Sequence, residues 1–204
     1  MSAFRMTQVI FWLGLSIYLG GLATLGGIVA WQLFSILGHT SVHVAGMSAH
    51  VNQSRQLAGL IFGRILQAFN VVEVVCLALM FLAIFAQMAL HLNLLNIWVW
   101  LRLILAVLLL LISVYDIFII SPAIHRQHYQ WIANVDSHPA IARAHQQIFW
   151  QLHRTSETLG VSEIGLLLLM LVVSAWGISQ PTRRQFLVPA VPGGHPPSTA
   201  SPHA

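Results

Sequence analysis

The sequence predicts an all-α integral membrane protein, a four-helix bundle followed by a disordered C-terminal tail. Three observations predict it. Hydrophobic residues make up 57% of the 204 residues and charged residues 7%, against roughly 25% charged in a soluble domain. Four apolar stretches, Gln8–Phe34, Leu57–Leu90, Ile97–Ser121 and Leu159–Ile178, each reach the ~20 residues that a helix needs to cross a hydrocarbon core about 30 Å thick. From Gln180 onward Pro, Gly, Ser and Thr dominate, a composition with too few apolar groups to offset the entropy of ordering. The division is therefore a four-span transmembrane domain over 1–179 and a disordered tail over 180–204.

In the first stretch Ser16, Gly20 and Thr24 recur at four-residue spacing, and the second opens with Gly59-x-x-x-Gly63. Small residues at this spacing let helix backbones approach closely in lipid. They predict a tight contact between the first two helices, with a homo-oligomer or larger membrane complex as the alternative use of the same faces. Asn93–Asn96 is read as a short turn that forces the second and third helices into an antiparallel hairpin. Pro122 marks the end of the third helix. Asp136-Ser137-His138-Pro139 has the form of a helix start, a capping side chain with proline in the first turn. The fourth helix is thus expected to begin near Pro139 and to meet the lipid near Leu159. The first stretch is too long for the 7–15-residue core of a cleavable signal peptide and is read as a retained span.

All nine basic residues are arginine, and the net charge is +4. They form no cluster that would serve nucleic acid. The single cysteine, Cys76, lies inside the second stretch, so no internal disulfide can form. Flanking arginines are nearly balanced between the two ends. Counting the terminal amine favours cytoplasmic termini under the positive-inside rule, and the expected location is a bacterial plasma (inner) membrane, multi-pass.

An even number of crossings puts both termini on one side. Eight of the eleven histidines then gather at the opposite end of the bundle. His39, His43, Met47 and His50 share one face if helical, and imidazole with thioether suits copper, Cu(I) in particular. His125 and His128 stand in the other connection on that side. These six residues are the candidate metal ligands; interfacial histidine beside Tyr129 and Trp131 is the simpler reading.

Ionisable groups at membrane depth usually face the bundle interior, pair, or line a functional path. Counting about 1.5 Å per residue, Arg64 lies ~10 Å in from the histidine end, Asp116 ~8 Å and Glu163 ~6 Å. Glu73 is deeper. His153, Ser156, Glu157 and Glu163 fall on one stripe of the fourth helix. The expected polar cluster is therefore Arg64, Glu73, Asp116, His153, Ser156, Glu157 and Glu163, with Arg64 as hub and His153 and Glu157 capping it toward water. Such a cluster can be packing glue or the lining of an ion, proton or ligand path. Arg102 is expected alone near the other face, snorkelling to the headgroups. No H-E-x-x-H, paired C-x-x-C, phosphate loop or nucleophile triad occurs, so the residues make no positive case for an enzyme.

Several short motifs carry a resemblance. They are Trp12-Leu13-Gly14, Leu57-Ala58-Gly59-x-x-x-Gly63-Arg64, Arg102, Ser121-Pro122 and Phe149-x-x-Leu152-His153-x-x-Ser156. Across residues 8–178 their order resembles the uncharacterised four-helix membrane family related to transmembrane protein 205. That family is similar in turn to a group containing copper-resistance protein D and a membrane haem-pathway oxidase. The resemblance implies a four-span fold, a membrane location, and copper or haem as the cofactors to consider. It points to Gly59, Gly63, Arg64, Pro122, Phe149, His153 and Ser156. The haem alternative implies a membrane redox enzyme, for which His153 is the ligand nearest the lipid.

Overall fold

The computed structural model describes residues 3–40, 52–90 and 97–179. Among them every element is helical. Four long helices, α1 (Ala3–Gly38), α2 (Gln53–Leu90), α3 (Ile97–Asn134) and α4 (Pro139–Ser179), are each apolar and long enough to cross a membrane. The protein is a multi-pass membrane protein. Contacts run α1 to α2, α2 to α3, α3 to α4 and α4 back to α1, an up-down-up-down bundle closed on itself.

Lipid replaces water outside such a bundle, so apolar side chains cover the outside as well as the core. Val71, Leu111, Phe118 and Val161 are all well exposed. The core holds Phe11, Leu15 and Tyr18 of α1, Leu77, Met80 and Ile84 of α2, Leu105 and Leu109 of α3, and Leu167 and Met170 of α4. Gly14 explains how α1 and α2 come so close. A Cβ there would stand 3.1 Å from both the Cys76 carbonyl oxygen and Met80 Cγ, so the hydrogen side chain lets the two backbones meet. Gly20 and Gly59 face open space and make no such contact.

Two helices differ from their expected ends. α1 continues to Gly38 through a π turn at Leu25–Val29, where paired Gly26 and Gly27 allow the wider backbone. α3 does not stop at Pro122. It passes through a second π turn, Asp116–Ile120, and continues over Ser121–Asn134. A proline inside a helix lacks an N–H and crowds the carbonyl four residues back. Here the π turn lies immediately before it, with the Ser121 N–H bonded to the Asp116 carbonyl, and the local widening accommodates the ring. α4 starts at Pro139 as expected, with the His138 carbonyl accepting from the Ala142 N–H at 3.0 Å. Asn93–Asn96 and the tail over 180–204 lie outside the described residues.

Exposed aromatics mark two levels on the bundle. Trp100 and Trp176 stand at the terminal end, and Tyr129 and Trp150 at the other. Tryptophan and tyrosine favour the headgroup zones. Trp150 and Trp176 are about 39 Å apart along α4 at the helical rise, close to the ~40–45 Å of a bilayer with its headgroups. Glu163 stands midway between them in sequence.

Candidate functional site

At that mid-level each helix contributes one polar side chain to a buried chain of hydrogen bonds. Tyr18 of α1 is fully enclosed, and its hydroxyl donates to Glu73 Oε1 of α2 at 2.7 Å. The same hydroxyl lies 3.0 Å from Ser113 Oγ of α3. Ser113 in turn donates to Glu163 Oε1 of α4 at 3.1 Å. Glu73 and Glu163 are each 5% exposed and Ser113 2%, so all four side chains are buried. No arginine joins them.

Hydrogen counting decides what this chain can do. Three short contacts link the four groups end to end, Ser113 also interacts with Glu73 and Tyr18 with Glu163, and the two hydroxyls supply two hydrogens. With both glutamates ionised, both hydrogens go to carboxylates and the Tyr18–Ser113 contact holds none. One proton on either glutamate completes the set. On Glu163 it orders the donors Glu163 to Ser113 to Tyr18 to Glu73, and on Glu73 the same donors run in reverse. The two arrangements differ by the transfer of one proton from end to end, with no heavy atom moved. A single proton also removes one of two like charges from the membrane interior, where an unpaired charge is costly.

Asp116, the first residue of the π turn, lies one turn toward the histidine end. It is half-buried and faces Ser156 of α4, while its Oδ1 has no hydrogen-bond partner. Beyond it, His153 Nε2 stands 3.4 Å from Glu157 Oε1 at the exposed surface. Polar groups therefore step from the buried chain toward the histidine end. In the other direction the core is apolar, with Leu15, Met80, Leu109 and Met170 filling the section below.

The expected hub is elsewhere. Arg64 is exposed, and among the described residues its side-chain partner is Gln67 on its own helix at 3.5 Å. It forms no ion pair with Asp116 or Glu163. Nine residues at about 100° each put Arg64 and Glu73 on opposite sides of α2, so a row of polar residues every third position could not serve one interior. Arg102 departs in the opposite sense. It does not snorkel but is 3% exposed, donates from Nη1 to Gln87 Oε1 at 3.3 Å and from Nη2 to the Ser174 carbonyl at 3.1 Å, and lies over the Phe11 ring.

Among the described residues most histidines have polar partners of their own. His39 Nδ1 is 2.6 Å from the Ser35 carbonyl oxygen. His128 Nε2 is 2.6 Å from Gln56 Oε1, and its ring packs against Trp131 and Phe149. His145 pairs with Gln127, and His153 stacks on Phe149 at 10° between planes. His125 lies over Gly63, 3.7 Å from where a Cβ would stand, which gives that glycine of the expected motif a local reason. Among the described residues no group of three His, Cys, Asp or Glu side chains could hold a metal ion. His43, Met47 and His50 lie outside the described residues.

Tyr18 and Ser113 complete the chain and were absent from the expected cluster. Each is a hydroxyl within an apolar span, but Ser16 stands two residues from Tyr18 and Tyr115 two residues from Ser113, so the sequence alone does not single them out. No protein-family model, curated protein or solved structure matches this chain.

Proposed function

We propose that this is a proton-coupled integral membrane protein, whose working site is the Glu73–Tyr18–Ser113–Glu163 chain at the middle of the bundle. One observation carries the reading: three hydrogen-bond contacts between two buried glutamates share only two hydroxyl hydrogens. The site holds one proton, which passes between Glu73 and Glu163 through the two hydroxyls. It exchanges with water on the histidine side by way of Asp116 and Ser156, with His153 and Glu157 at the mouth. The apolar section beneath prevents the proton from leaving by the other face in this conformation. Coupling then requires a change of packing, and the bundle is a proton-driven switch rather than an open wire.

The test is infrared difference spectroscopy of the full chain in nanodiscs across a pH series. The wild type shows a protonated-carboxyl band that Glu73→Gln and Glu163→Gln each change. A spectrum with no protonated carboxyl at any pH where the protein is folded overturns the reading.

A further inference from the structure

A second polar tier lies near the terminal end of the bundle, and its charge is reversed. Arg102 of α3 and Gln87 of α2 form a hydrogen-bonded pair, with Ser174 of α4 alongside. All three are at least 97% buried. Within this group Arg102 Nε, Gln87 Nε2 and the Ser174 hydroxyl have no hydrogen-bond partner. Each of the three is a donor.

No protein carboxylate is placed to answer them. The sequence contains five acidic residues, Glu73, Asp116, Asp136, Glu157 and Glu163. All stand at the middle of the bundle or toward its histidine end. A buried guanidinium lacking a counter-charge inside a membrane is a strongly unfavourable element on its own. Its planar fork matches an oxyanion, to which it can donate two parallel bonds.

Gly177 sits directly against the group. It is half-buried, and a Cβ there would stand 3.2 Å from Arg102 Nη2 and 3.2 Å from Trp98 Cβ. The missing side chain thus lets the α4 backbone close against the guanidinium edge and the Trp98 side chain. Arg102 lies about 7 Å in from the start of α3 at the helical rise, at the level of Trp98 and Trp100. That is the zone where lipid headgroups meet protein.

We infer that Arg102, Gln87 and Ser174 form a phosphate-oxyanion site at the α3–α4 contact beside Gly177. The oxyanion takes the three free donors and neutralises the arginine. The same chemistry is offered by a phospholipid headgroup of that leaflet and by inorganic phosphate from water. The site is independent of the proton chain and stands or falls apart from it.

The experiment follows thermal unfolding of the full chain in a neutral glycoside detergent. Inorganic phosphate is titrated against chloride at matched ionic strength in one arm, and phosphatidylglycerol against an uncharged glycolipid in the other. The apparent melting temperature rises with concentration in at least one arm, as it must when a ligand binds only the folded state. A rise with phosphatidylglycerol alone identifies the headgroup, and a rise with inorganic phosphate identifies the soluble anion. Arg102→Gln weakens the response by about tenfold or more. Because that variant can fail to fold, Gly177→Ala is measured beside it; it keeps the arginine, crowds its Nη2 edge and reduces the response. Absence of any rise in both arms overturns the inference. So does a rise that Arg102→Gln and Gly177→Ala both leave unchanged.

Discussion

Replacing Tyr18 by Phe removes one oxygen atom and leaves the ring. The ring is fully buried and packs at a tilt against Phe69, 6.4 Å between centroids, so packing changes little. What goes is the central link of the buried chain, with its contacts to Glu73 at 2.7 Å and to Ser113 at 3.0 Å. Both contacts join different helices. Interhelical hydrogen bonds in membrane proteins average about 0.6 kcal/mol with a maximum near 1.7, so two of them predict a loss of about 1–3 kcal/mol. The measurement is reversible unfolding in mixed micelles, with the Ser113→Ala and Tyr18→Phe/Ser113→Ala variants completing a double-mutant cycle. Because the two hydroxyls share a contact, their losses should not add. A Tyr18→Phe effect below about 0.5 kcal/mol, the range of an unremarkable surface change, would refute the closed chain. So would strict additivity with Ser113→Ala.

Other outcomes follow from the packing. Gly14→Ala forces α1 away from the Cys76 carbonyl and should cost about 1–3 kcal/mol as an overpacked site does, whereas Gly20→Ala meets nothing and should gain about 0.5–1 kcal/mol from helix propensity. Unfolding both in parallel gives the comparison. Met80→Ala removes a fully buried core side chain and should cost about 2–5 kcal/mol, read by the same titration. Arg64→Ala should stay within about 0.5 kcal/mol of wild type, and a larger loss in a thermal melt would return Arg64 to the interior. Glu157→Gln should change stability by less than about 1 kcal/mol, because its partner His153 is an exposed one.

The bundle and its four spans were legible because hydrophobic length is a property of composition, and composition survives any packing. Burial of Glu73 and Glu163 was legible for the same reason, since a carboxyl far from either helix end has nowhere else to go. Angular placement was not. Arg64 lies within a few residues of the expected depth, yet the choice between interior and surface turns on rotation about α2, which apolar residues on every side of a membrane helix do not reveal. Arg102 shows the complementary limit. A long side chain near a helix end can snorkel outward or fold inward, and the decision rests on Gln87 and Phe11, which are distant in sequence. Pro122 misled because its effect on a helix depends on whether the preceding turn is α or π, and that is settled by tertiary packing.

The two π turns set the indexing of everything outboard of them. Each inserts one residue into a turn, so the helix beyond is rotated by about 100° relative to an unbroken α-helix. In α3 this decides which face of Ser121–Asn134 meets α2 and α4. His128 reaches Gln56 and Phe149 because of that rotation. Removing a single residue from Asp116–Ile120 would therefore act as a dial rather than a cut. It would leave the mid-membrane chain in place and turn the outer segment through slightly more than a quadrant, taking His125 off Gly63 and His128 off Gln56 together. The inner and outer halves of the third helix are thus geared by one residue, and a bundle so geared can alter one end by a small change of winding while holding the other still.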